Sequence, residues 1–143
     1  MKSRTPYQSQ CFCMNLRRAA NSITEFYDEA LKELEISVSQ YSLLINLDRM
    51  ETASTSELAE RVHLDRSTLV RNLKPLLSRE LISDLAKEGT RSHRFTVSSQ
   101  GAALLEKGRP IWEQAQADIR EYLGQEEPET LLRLLRKLQE IPR

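Results

Sequence analysis

The stretch that most constrains this chain runs from Ser54 to Ser98, STSELAERVHLDRSTLVRNLKPLLSRELISDLAKEGTRSHRFTVS. It opens on a capping box. The Ser54 hydroxyl can accept from the backbone N–H three residues on, and Glu57 can reach back to the backbone N–H of Ser54. A short helix follows with Leu58, Ala59 and Val62 on one face, then a turn at His63-Leu64-Asp65. Asp65 is a good N-cap for a second helix, Arg66 to Arg79, whose Leu69, Val70, Leu73, Leu76 and Leu77 are expected to face inward. Arg66, Ser67, Thr68, Arg71, Asn72 and Lys74 lie on the other face. A short supporting helix, a tight turn and a second helix with polar, basic residues at its start make a helix-turn-helix, whose second helix fits the major groove of DNA.

The next residues predict a wing. Leu81 to Leu85 reads as a short strand, Ala86 to Ser92 as a turn-rich tip, and His93 to Val97 as a half-buried returning strand. Lys87, Arg91 and Arg94 give this hairpin cations for phosphate. Charge placement agrees. The whole chain is neutral, with 21 Lys and Arg against 21 Asp and Glu, yet from Arg61 to Arg94 eight cations stand against four anions, a local +4. A basic segment within a neutral chain is the electrostatic footprint of a nucleic-acid partner.

The flanks predict helices. A long one spans about Ser9 to Leu34, with a wide apolar stripe through Cys11, Met14, Leu16, Ile23, Phe26, Tyr27 and Leu31. A second capping box at Ser37 to Gln40, with Ile36 and Tyr41 as a hydrophobic staple, starts a helix ending near Met50. Ser98 caps a helix from about Ser99 to Leu123, kinked rather than ended at Gly108 and Pro110. Gly124 stops it, and Pro128 starts a last helix to about Ile141. At 143 residues, 39% hydrophobic and 6% aromatic, the chain suits long helices that share a core between two copies. The expectation is a mainly α fold with a small β-hairpin wing: a winged helix-turn-helix over residues 36–98, with N- and C-terminal dimerisation helices in 1–35 and 99–143. A two-fold dimer presents two recognition helices to a palindromic site.

Read together, these residues resemble the MarR family of bacterial transcriptional regulators over essentially the whole length. The resemblance is carried by Ser37 to Leu44, Ser54 to Glu60, Leu64 to Leu73, Arg91-Ser92 and Val97 to Gly101, in order and at family spacing. It implies a homodimer bound to double-stranded, pseudo-palindromic operator DNA, usually as a repressor released by a small-molecule effector or by oxidation. It places base reading on Ser67, Thr68, Arg71 and Asn72 and the minor-groove wing arginine on Arg91. Three departures stand out. Gly89 replaces the acidic residue that usually orients the wing arginine. Glu80 replaces the glycine that usually follows the recognition helix at a left-handed position. Pro75 lies within that helix.

Cys11 and Cys13 sit near the start of the first helix. Two apart on a helix, they point to nearly opposite sides, so an intrahelical disulfide is not expected. The resemblance puts Cys13 where the organic-peroxide-sensing branch carries its reactive cysteine, and Tyr27 on one of that branch's hydrogen-bonding tyrosines; the other tyrosine positions fall on Arg17 and Val38. Oxidant sensing and plain packing in a dimer interface both remain open for this pair. The cysteines with His63 and His93 lack metal-ligand spacing, so no metal is expected, and nothing implies a cofactor. An effector pocket between arms and winged domain would draw on Phe12, Phe26, Tyr41 and Trp112, residues that plain core packing explains as well.

Other classes fit less well. With no Gly-rich phosphate loop, paired-histidine motif or nucleophile elbow, and only two histidines, no catalytic residue and no enzyme is expected. A winged helix used only for protein contacts is the alternative reading, but its exposed helix would be apolar or acidic rather than carry Arg66, Arg71 and Lys74. No run reaches the roughly 18 apolar residues of a membrane span, and the opening MKSRTPYQSQCFC holds no apolar signal core, so no membrane partner and a cytoplasmic location are expected.

Overall fold

The computed structural model of the chain describes residues 9–87, 89 and 92–143. Among the described residues six α-helices run in the order α1 (Phe12–Leu31), α2 (Val38–Met50), α3 (Thr55–Val62), α4 (Arg66–Ser78), α5 (Ser99–Leu123) and α6 (Glu127–Gln139). Three short strands are interleaved: β1 (Ala53–Ser54), β2 (Ile82–Asp84) and β3 (Arg94–Val97). They form one antiparallel sheet in the order β1-β3-β2, with Ala53 opposite Phe95 and Ile82 opposite Val97. The hairpin expected from sequence is therefore the larger part of a three-stranded sheet. β1 is only two residues long, too short to show an alternating pattern in the sequence.

Local chemistry starts the central helices. Ser37 Oγ accepts from the Gln40 N–H while the Gln40 side chain accepts from the Ser37 N–H. Ser54 and Glu57 make the same reciprocal pair, and Ser98 Oγ accepts from the Gly101 N–H. Each satisfies donors that a helix N-terminus leaves unpaired. The terminators are equally local. α1 passes through a 3-10 turn at Lys32–Leu34 to Glu35 in the left-handed region, His63 ends α3 in that region, and Gly124 closes α5 at φ 99°. α5 continues through Pro110 to Leu123, as its apolar period predicts.

One core joins these parts. Ile36, Tyr41, Leu43, Leu44 and Leu47 meet Leu58, Leu69, Leu73 and Leu76 from the helix-turn-helix and Ile82 and Phe95 from the sheet. Leu31 and Leu105 insert from α1 and α5. The start of α5 presses so closely on the sheet that a Cβ at Gly101 would lie 2.1 Å from the Leu81 carbonyl oxygen. Val70 corrects the sequence reading: it is 43% exposed rather than inward. It sits at the edge of the apolar stripe, where α4 turns away from the core.

The arms are different. Phe12 (85% exposed), Met14, Leu16, Ile23 and Phe26 on α1, Tyr122 (90%) on α5, and Leu132, Leu134 and Leu138 on α6 all lie open. Among the described residues no helix is long and apolar enough to cross a membrane.

Candidate nucleic-acid interface

α4 is presented by its own N-terminus. Asp65 Oδ1 accepts from the Thr68 N–H at 2.7 Å and from the Ser67 hydroxyl at 3.0 Å. The Thr68 N–H, followed by the Thr68 and Ser67 hydroxyls, holds the Asp65 carboxyl below its ordinary range. Cap and first turn are thus one hydrogen-bonded unit. One turn on, Arg71 Nη2 donates to Thr68 Oγ1 at 3.4 Å, steering the guanidinium along the helix face. Arg66, Ser67, Arg71 and Lys74 are exposed, and Thr68 and Asn72 are half-buried beside them. The structure therefore brings six of the sequence-predicted residues onto one side of one helix.

The wing residues divide. Arg91 lies outside the described residues. Arg94 lies at the base of the wing, where Nε donates to Thr52 Oγ1 at 2.9 Å and both terminal nitrogens approach the Glu57 carboxylate at 3.4 Å. Two of its five donors thus fasten β3 to the start of α3 and a third to Thr52, just before β1. Glu57 serves twice, and its carboxyl is held low first by the Ser54 N–H and then by Arg94. On the other strand, Asp84 Oδ2 meets His93 Nδ1 at 2.6 Å, and His93 stacks on Phe95. Partial burial pushes the Asp84 carboxyl up, but the Ala86 N–H and His93 outweigh it, and the net shift is downward.

Sequence reasoning missed what ties this face to the arms. Arg79, just past α4, donates to the Glu35 carbonyl at 2.6 Å and to the Leu34 carbonyl at 3.1 Å. Its guanidinium caps the 3-10 turn that follows α1 from the end of the recognition helix. Asp28 on α1 accepts from the Val38 N–H at the start of α2. The buried Tyr41 hydroxyl donates to the Leu105 carbonyl of α5, and a Cβ at Gly108 would lie 2.4 Å from the Tyr41 ring. Burial raises the Tyr41 hydroxyl above its ordinary value, so it stays a donor. These are contacts between elements distant in sequence, and no local pattern announces them. Glu80 does occupy the left-handed region, at φ 58°.

Of the four aromatic residues offered for an effector pocket, Tyr41 and Trp112 line one cavity of about 700 Å³ between α2 and α5, with Arg49 and Arg109 at its polar side. Phe26 lines a separate groove between α1 and α5, and Phe12 lines neither. Cys11 is the N-cap residue of α1 and Cys13 follows in its first turn; both are exposed free thiols. Tyr27 donates instead to the Gln116 side chain. Fourteen residues of helix separate it from Cys13 by about 21 Å within one protomer. Among the described residues no cluster of His, Cys, Asp or Glu is arranged to hold a metal ion.

Comparison with known proteins places these features. The sequence profile described as the MarR family matches residues 36–90. The organic hydroperoxide resistance transcriptional regulator of Bacillus subtilis is 31% identical over 100 residues, covering 69% of this chain and 68% of that protein. The M. tuberculosis transcriptional regulator MOSR, solved in complex with DNA, superposes with a TM-score of 0.79 at 30% identity, covering 90% of this chain and 93% of that one. Bordetella bronchiseptica BpsR, whose DNA binding is regulated by 6-hydroxynicotinic acid, superposes with a TM-score of 0.82 at 22% identity over 96% of this chain and 99% of its own.

Proposed function

This chain belongs to the MarR family, and from that premise we propose that it is a homodimeric, sequence-specific DNA-binding transcriptional regulator, acting as a repressor in the cytoplasm. The observation that carries the reading is the exposed polar face of α4, held by the Asp65 cap and bearing Arg66, Ser67, Thr68, Arg71, Asn72 and Lys74. Arg71 is long, planar and bidentate, and suits the O6 and N7 acceptors of guanine; such a pair gives about 1–3 kcal/mol of discrimination. Lys74, three residues after Arg71, and Arg66, five before it, suit phosphates. Arg91 is assigned to the minor groove beside the wing, and Arg94 to holding the wing in place. An exposed basic helix of this kind speaks against a module built only for apolar protein contacts.

Residues 36–98 form the DNA-reading region and residues 1–35 and 99–143 the pairing region. The open apolar surface of α1 and α6 supports this division, since a second copy would bury it. Release has two routes, a small ligand in the cavity between α2 and α5 or oxidation at Cys13. The first draws support from BpsR and its ligand, the second from the hydroperoxide-resistance relative.

The test is selection from a random-sequence duplex pool, followed by titration of the enriched site across salt concentrations. A pseudo-palindromic motif and steep loss of affinity with salt are expected; an unenriched pool would overturn the reading. On the enriched site, binding lost to an organic hydroperoxide in wild type but kept in Cys13→Ser assigns release to the thiol. Binding kept in both assigns it to a ligand.

A further inference from the structure

Val70 is an apolar side chain on the open face of α4 to which DNA reading by the polar residues assigns no task. It is 43% exposed, while Leu69, Leu73 and Leu76 are buried. It lies four residues after Arg66 and four before Lys74, so the three side chains form one row along the helix, cation, branched hydrocarbon, cation. Ser67, three residues back, borders the same row. Valine is a poor choice for an exposed helix position on propensity alone, and its branch holds χ1 to essentially one rotamer. A rigid hydrocarbon is thereby held out at a fixed angle between two phosphate-seeking cations.

Only one group on the base edges of the major groove is apolar, the C5-methyl of thymine. We propose that Val70 is a specificity-determining residue that packs its γ-methyls on a thymine methyl in each half-site, next to the base pair read by Arg71. This rests on the DNA-binding reading and adds a base preference to it. Hydrogen bonding cannot supply that preference, because Val70 has no side-chain donor or acceptor. Removing one buried methyl from the contact is expected to weaken binding about fourfold per half-site and about fifteenfold when both half-sites change.

The experiment substitutes deoxyuridine for thymidine, one symmetric pair at a time, in the duplex enriched from the random pool; the change deletes only the methyl group. Wild type is expected to show one symmetric pair at which deoxyuridine costs about that factor. Val70→Ala is expected to bind the thymidine and deoxyuridine duplexes equally at that pair while keeping its response to changes at the guanine read by Arg71. Val70→Thr keeps one γ-methyl and is expected to keep part of the discrimination. It also guards against a stability defect in the alanine variant, which equal melting temperatures would exclude. Methyl discrimination retained in full by Val70→Ala, or absent from wild type, would overturn the assignment while leaving specific DNA binding intact. Failure to enrich any motif would overturn the DNA-binding reading and this assignment together.

Discussion

Helices α2, α3, α4 and α5 each begin under a side-chain cap, from Ser37, Ser54, Asp65 and Ser98, whereas α1 and α6 begin with no side-chain cap hydrogen bond. Burial divides on a similar line, except that α5, capped by Ser98, runs on into the arms. The core is drawn almost wholly from residues 36–98, with Leu31 and Leu105 plugged in from the arms. The arms instead leave Phe12, Ile23, Phe26, Leu134 and Leu138 open. A region that caps its own helices and closes its own core is specified by one chain. A region with an unburied stripe is completed by packing, which in the proposed dimer a second copy supplies.

The comparison breaks most sharply in the arms. Leu134→Glu with Leu138→Glu places two carboxylates one turn apart on the open face of α6. The pair is expected to convert the dimer to monomer in sedimentation and to reduce operator affinity by 100-fold or more, because burying an unpaired charge is costly and a single recognition helix loses its partner half-site. Far-UV circular dichroism should still report the helices of the 36–98 region. Loss of all helix signal would show that the two regions are not separable.

In the core the largest effect is expected at Gly101. An alanine Cβ there meets the Leu81 carbonyl, a backbone atom that cannot rotate away. Gly101→Ala is expected to destabilise by about 1–3 kcal/mol or more in thermal unfolding, without changing the mass of the dimer. Arg79→Ala, which returns the exposed Leu34 and Glu35 carbonyls to water, is expected to cost about 0.5–1.5 kcal/mol. It should also lower operator affinity, since it unfastens the recognition helix from α1; Arg79→Lys should recover part of both losses.

Smaller effects test the wing and the turn after α4. The Asp84 carboxyl is held down when folded, so its contribution is present above the ordinary carboxylate range, about pH 4, and is lost as pH falls through its lowered folded value. The melting-temperature gap between wild type and Asp84→Asn should therefore be open at pH 6–7 and close toward pH 3. A gap that widened on acidification would reverse the assignment. Glu80→Gly relieves a left-handed residue at φ 58° and should be neutral or stabilising by about 1 kcal/mol; a clear fall in melting temperature would refute it.

What could be read from the sequence follows the same division. Ser37, Ser54, Asp65 and Ser98 announce themselves because capping is local chemistry, and the helices they start fall within a residue of expectation. Glu80 in the left-handed region was legible through family resemblance, since glutamate gives no sign of such a φ by itself. Val70 was misplaced because an apolar residue beside Leu69 and Leu73 reads as core unless the helix's phase against its neighbours is known. Arg79, Asp28 and the Tyr41–Leu105 bond were invisible, as each joins elements that only the tertiary fold brings together. Arg94 reads from sequence as a cation for phosphate, and its partners Thr52 and Glu57, some forty residues away, give no sign there. Of the aromatic residues considered for a pocket, Tyr41 and Trp112 line one cavity, while Phe26 and Phe12 do not join them.

In the proposed dimer the arms pair two copies so that two α4 helices read one site. Hydroxyl-radical footprinting of the protein on its enriched duplex tests it most directly. The account predicts two protected segments, related by two-fold symmetry, centred about one helical turn or 10 base pairs apart, that appear together as protein is added. A single protected segment, or two that fill independently at different protein concentrations, would contradict it.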